Sequence, residues 1–126
     1  MTKFKQREIK FRVYDFDKGM WIFWEYDYKT NEFIKTGLTN PSSNLSKPTQ
    51  FTGRHDKNKK EIYEGNIIKD NSDNHLLIQW NNKFASFGLD KDGWMFTHFF
   101  EESIKPEECE VIGNIFENPE LMGAKK

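Results

Sequence analysis

Alanine, the strongest helix former, occurs only at Ala85 and Ala124, and that scarcity argues against a helical fold. Cysteine occurs once, at Cys109, which excludes an intramolecular disulfide and fits a reducing compartment. No apolar run approaches the ~18 residues that would suggest a membrane span. The opening Met-Thr-Lys-Phe-Lys-Gln-Arg-Glu lacks the apolar core of a secretory signal. A surplus of one charge is missing too: 19 Lys and Arg stand against 20 Asp and Glu, a net of −1. A dedicated duplex binder needs a basic surplus to neutralise phosphates, so that class is disfavoured. The expectation is a soluble cytoplasmic protein without membrane contact.

Aromatics, by contrast, are plentiful. Twelve Phe, four Trp and four Tyr make up 16% of 126 residues, in a chain only 36% hydrophobic. Aromatic side chains suit pleated, half-buried surfaces. A chain of this length buries roughly two-thirds of its unfolded surface, which supports a single domain over residues 1–126.

Alternation then places the strands. In REIKFRVYD, Ile9, Phe11 and Val13 share one face while Lys10, Arg12 and Tyr14 share the other. DFDKG reads as a turn and MWIFWEYDY as the returning strand, apolar at first on both faces. Thr30-Asn31 leads into a shorter segment, EFIKT. The stretch GLTNPSSNLSKP, residues 37–48, breaks the pattern and reads as a mobile loop or a boundary. If sub-lobes exist, they are 1–36 and 48–126 joined by 37–47.

Further on, HLLIQWN sets Leu76, Ile78 and Trp80 on one face, and after Asn81-Asn82 a strand carries Ala85, Phe87 and Leu89. WMFTHFF gathers Trp94, Phe96, His98 and Phe100. CEVIGNIFE is a last strand, and NPELM a short helical turn capped by Asn118 with Pro119 first. Short strands at such spacing predict a mostly β fold: a small barrel or sandwich of antiparallel strands with a short C-terminal helical turn.

The most patterned stretch is DKNKKEIYEGNIIK, residues 56–69. Its polar start is hairpin chemistry, with Asn58 the residue most able to turn left-handed. Gly65 marks a bulge or a sharp bend. Glu61 and Glu64 fall on opposite faces of an extended strand and do not act together. No glycine-rich turn precedes a helix here, so no phosphate loop fits.

Three blocks, REIKFRVYD, TGRHDKNKKEIYEGNIIK and EVIGNIFENPEL, together resemble the YopX family of phage and prophage proteins. The family's middle block usually has a glycine in the turn and an aspartate after the bend, where Lys59 and Asn66 stand here. The resemblance implies a mostly β fold, a phage or prophage origin and hence the cytoplasm of a host bacterium. It brings no catalytic residues with it.

Chemistry-bearing clusters are sparse. His55, His75, His98 and Cys109 lack the paired spacing of structural zinc sites, so neither metal nor cofactor is expected. Asp90 to Gly93 reads as a hairpin turn in preference to part of a calcium loop. Acids around Cys109 raise a thiol's pKa and weaken it as a nucleophile.

The remaining candidate is a basic-aromatic stripe of Lys10, Arg12 and Tyr14, extended by Trp21, Phe23 or Trp24. Arg and aromatics anchor protein contacts, and the same pairing stacks on single-stranded nucleic acid. The leading reading is a non-catalytic β-rich interaction module, contacting itself as a homo-oligomer or another protein. Single-stranded nucleic-acid binding is the alternative, and an enzyme whose site is built from distant strands is the third.

Overall fold

Period-two alternation and polar corners produce ten strands in the computed structural model, which describes residues 6–91, 94–99 and 105–123. Strands β1 (Lys10–Asp15), β2 (Met20–Asp27) and β3 (Glu32–Gly37) form an antiparallel meander. β4 (Thr49–His55) and β5 (Glu61–Tyr63) complete the first sheet, in the order β3-β2-β1-β4-β5. β6 (Asn66–Lys69), β7 (His75–Asn81), β8 (Ser86–Lys91), β9 (Trp94–Phe99) and β10 (Glu110–Asn114) make the second, ordered β10-β6-β7-β8-β9. Short 3-10 turns cover Pro106–Glu108 and Pro119–Met122. The fold is mostly β, as expected, with two open antiparallel sheets and no closed barrel among the described residues.

The chain divides into two compact units, Met1–Gly53 and Arg54–Lys126. The division falls inside β4. The polar stretch of residues 37–47 belongs to the first unit, where hydrogen bonds hold it against β1. Tyr14 N–H donates to Ser46 Oγ at 2.9 Å, and Ser46 N–H donates to Tyr14 O at 2.8 Å. The organiser is Asp15, wholly buried at the end of β1. Its carboxylate accepts the N–H groups of Asp17, Lys18 and Ser42 and the Ser42 hydroxyl, at 2.7 to 3.0 Å. A carboxylate withdrawn from water needs such donors, because they replace the hydration that its charge gives up.

In the first unit Val13, Tyr14, Ile22 and Phe51 are buried. The second unit centres on Ile62, Ile68, Leu76, Ile78, Leu89, Cys109 and Val111, with Phe87 packed beside them. Each of the aliphatic side chains, taken fully out of water, contributes roughly 1.5–3 kcal/mol.

Several corners differ from the sequence expectation. Lys59, not Asn58, takes the left-handed conformation of the hairpin, at φ 66°. Asp56 explains the choice: its Oδ1 accepts both Asn58 N–H and Lys60 N–H at 2.8 Å, which wraps the turn around position 59. Ala85 lies in the turn at φ 51° and not in β8, because Asn81 Oδ1 draws the amides of Lys83 and Phe84 into a wider loop. Asn118 precedes the C-terminal turn, yet its Oδ1 accepts Asn114 N–H at 3.2 Å and makes no cap bond. Gly65 at φ 90° is more than a bulge, since it lies between β5 of one sheet and β6 of the other. The expected shared face of Trp94, Phe96, His98 and Phe100, and the turn at Asp92-Gly93, lie outside the described residues.

Candidate functional site

Register decides what the first unit presents. Phe11 pairs with Trp24, Val13 with Ile22 and Tyr14 with Trp21 across β1 and β2. Directly paired residues of an antiparallel ladder share a face. One face therefore carries Phe11, Val13, Ile22 and Trp24; the other carries Lys10, Arg12, Tyr14, Trp21 and Phe23. Lys10, Arg12 and Tyr14 are brought together as expected, but Trp24 stands on the opposite side of the sheet.

The Lys10 face is a packed stack. Arg12 lays its guanidinium carbon 3.9 Å from the Trp21 ring centroid, Trp21 lies 4.9 Å from Tyr14, and Tyr14 meets Phe16 edge-on at 5.3 Å. Tyr14 is only 8% exposed, so its ring is a core residue and not an open platform, whereas Phe16 is 45% exposed. Lys10 sits between Glu8 at 3.5 Å and Glu25 at 3.8 Å, with its ammonium 5.7 Å from the Phe51 ring. Its charge is thus offset locally, which leaves little field for a phosphate.

The opposite face holds an open groove of about 460 Å³, walled by Phe11, Val13, Trp24, Phe33 and Pro48. Phe33 comes from β3, which pairs with β2 so that Tyr26 faces Phe33 and Trp24 faces Lys35. Phe33 contacts Tyr26 at 5.1 Å and Phe11 at 6.3 Å between centroids, and the Lys35 ammonium lies 6.0 Å from the Trp24 ring. Every residue of β3 is exposed. Phe33 and Ile34 are about half accessible, on opposite faces of the same strand. Sequence reasoning passed over these two; the signal was an adjacent apolar pair in the short strand EFIKT, which cannot be hidden on one side.

No acid, imidazole or thiol lines this groove among its described walls, so it offers shape and apolar area without acid-base chemistry. Among the described residues, no three His, Cys, Asp or Glu side chains gather where a metal ion could be held. Cys109 is fully buried, and its Sγ donates to Pro106 O at 3.2 Å. Burial first, and then the negative charge of Asp56, push its thiol up to about 11. His75 reaches Leu121 O from Nδ1 at 2.5 Å and ties β7 to the C-terminal turn. Among the described residues, no helix is long and apolar enough to cross a membrane.

No curated protein matches the chain. The crystal structure of protein EF1440 from Enterococcus faecalis is similar over 93% of this chain and 99% of that one, at 22% identity and a TM-score of 0.56, a likeness of fold. The family model described as YopX protein matches residues 10–123. With nine-tenths of its length matched, from the first residue of β1 to Gly123, this chain belongs to the YopX family.

Proposed function

We propose that this protein is a non-catalytic β-rich interaction module of a phage or prophage, acting in the cytoplasm of the host bacterium. Its contact surface is the apolar groove on β1–β3, with Trp24 in the wall and Phe33 at the rim. The carrying observation is that five apolar side chains form an open groove beside a strand exposed along its whole length. Aromatic walls of this kind anchor protein contacts once water is excluded. Photo-crosslinking in the expressing cell tests the reading. A benzophenone side chain at position 33 should trap a polypeptide, whereas the same group at exposed Ser43 should not. Equal trapping at the two positions, or none at position 33, removes the groove as the contact surface.

A second reading, binding of single-stranded nucleic acid, is favoured by the Arg12–Trp21 stack beside exposed Phe16. It predicts an affinity for oligonucleotides that falls with salt and with Arg12→Ala. The Glu8–Lys10–Glu25 arrangement weighs against it.

A further inference from the structure

We infer that β3 is a self-pairing edge, and that two copies of this chain join antiparallel along it with a two-fold axis at Ile34. This inference rests on the reading of β1–β3 as a contact surface and names its partner as a second copy.

The backbone hydrogen bonds set the register. Tyr26 N–H donates to Ile9 O at 2.9 Å, so the even-numbered residues of β2 turn their backbone groups toward β1. Leu38 N–H donates to Trp21 O at 3.0 Å, so the odd-numbered residues of β2 turn toward β3. Through the register Phe23↔Thr36, Glu25↔Ile34 and Asp27↔Glu32, the inward residues of β3 are Glu32, Ile34 and Thr36. Phe33 and Lys35 therefore aim their N–H and C=O groups away from the sheet. Among the described residues β3 is the terminal strand of its sheet; it has no proline, and neither Phe33 nor Lys35 has a positive φ. An edge with outward-facing donors and acceptors is a template for another strand.

Geometry and charge then select one pairing. A two-fold axis along the sheet normal keeps each side chain on its own face, so a residue can meet only itself or one an even number away. Centring on Lys35 would oppose two ammonium groups. Centring on Phe33 would call on Asn31, which is left-handed at φ 59° and whose N–H is already given to Asp27 O. Centring on Ile34 has neither fault. It sets Phe33 opposite Lys35 of the second copy, twice, and these outward pairs exchange four N–H···O bonds. Ile34 meets Ile34, and Glu32 meets Thr36. The Lys35 ammonium then lies beside the Phe33 ring of its neighbour, a cation–π arrangement. The Phe33 sides of both copies point the same way, so the two grooves meet end to end.

Sedimentation of the full chain from micromolar to millimolar concentration tests the inference. The native chain should form a dimer. Ile34→Glu and Ile34→Lys should each weaken self-association about 100-fold or more by opposing like charges. An equimolar mixture of the two variants should recover the dimer, because only residue 34 meets itself across this axis. Lys35→Pro removes an outward N–H without touching the β2 ladder, and should give a folded monomer by far-ultraviolet circular dichroism. If it fails to fold, the Ile34 pair still decides. A native chain that stays monomeric throughout overturns the inference, as does a dimer indifferent to Ile34→Glu or a mixture that stays monomeric. A monomer that still captures another polypeptide from position 33 overturns self-pairing alone and leaves the contact surface standing.

Discussion

Asn66 accepts the Tyr63 amide proton at 2.6 Å through Oδ1 and donates from Nδ2 to the carbonyl of Gly113 at 3.3 Å. One buried amide thereby closes the bend between β5 and β6 and fastens it to β10. A carboxylate at this position would accept only. Asn66→Asp should therefore keep the Tyr63 bond, replace the bond to Gly113 O with a carboxylate set against that carbonyl, and cost about 1–3 kcal/mol. Urea unfolding at neutral pH measures the loss. The deficit should shrink in mild acid, where protonation gives the substituted carboxyl a hydrogen to donate.

Lys59 holds a left-handed φ of 66°. An L side chain there costs roughly 1–2 kcal/mol. Lys59→Gly should raise stability by about 1 kcal/mol after the added freedom of the unfolded chain is subtracted. Lys60→Gly, one residue on and without a positive φ, should lower it. The shift in denaturation midpoint distinguishes the two signs.

Asp15 sets an acid limit on the first unit. Burial by itself would raise its pKa, but the Ser42 amide and hydroxyl and the Lys18 and Asp17 amides outweigh it and hold the group below its ordinary 3.8. A lowered folded pKa means the stabilisation is fully present above the ordinary value and is lost as pH falls through the lower one. Native protein should thus lose stability below about pH 4 faster than Asp15→Asn. At neutral pH the variant is the weaker of the two, because its amide turns a donor toward donors. Urea midpoints between pH 7 and pH 2 check the crossing trend.

Cys109 should be inert while the protein is folded. With its thiol raised to about 11 and no exposed surface, it has almost no thiolate at pH 8. Ellman's reagent should react at the rate of unfolding in water and at once in concentrated urea. Rapid labelling of the native state would contradict the burial.

The strands were legible because alternation and turn residues are local. Ile9 to Tyr14, Leu76 to Trp80 and the Gly65 bend all speak through near neighbours. The split of the candidate surface was not local. Four residues separate Asp15 from Met20, so paired positions on β1 and β2 sum to an odd number. That parity puts Trp24 with Phe11, and a loop one residue longer would have put it with Lys10 or Arg12. Nor could the sequence announce that Asp15 reaches 27 residues ahead to Ser42 and fastens a stretch that reads as mobile. Burial of Tyr14 follows from the Trp21 stack, and so again from register.

Gly65 passes the chain from one sheet to the other, and this has a consequence for synthesis on the ribosome. The meander of β1, β2 and β3 uses near neighbours and can assemble as soon as it emerges. β6 cannot be completed so early: Ile68 waits for Val111, which is translated 43 residues later. Throughout that interval the inner strand of the second sheet is itself an unguarded border in the nascent polypeptide. Crowded polysomes are therefore where misassembly between neighbouring chains would begin.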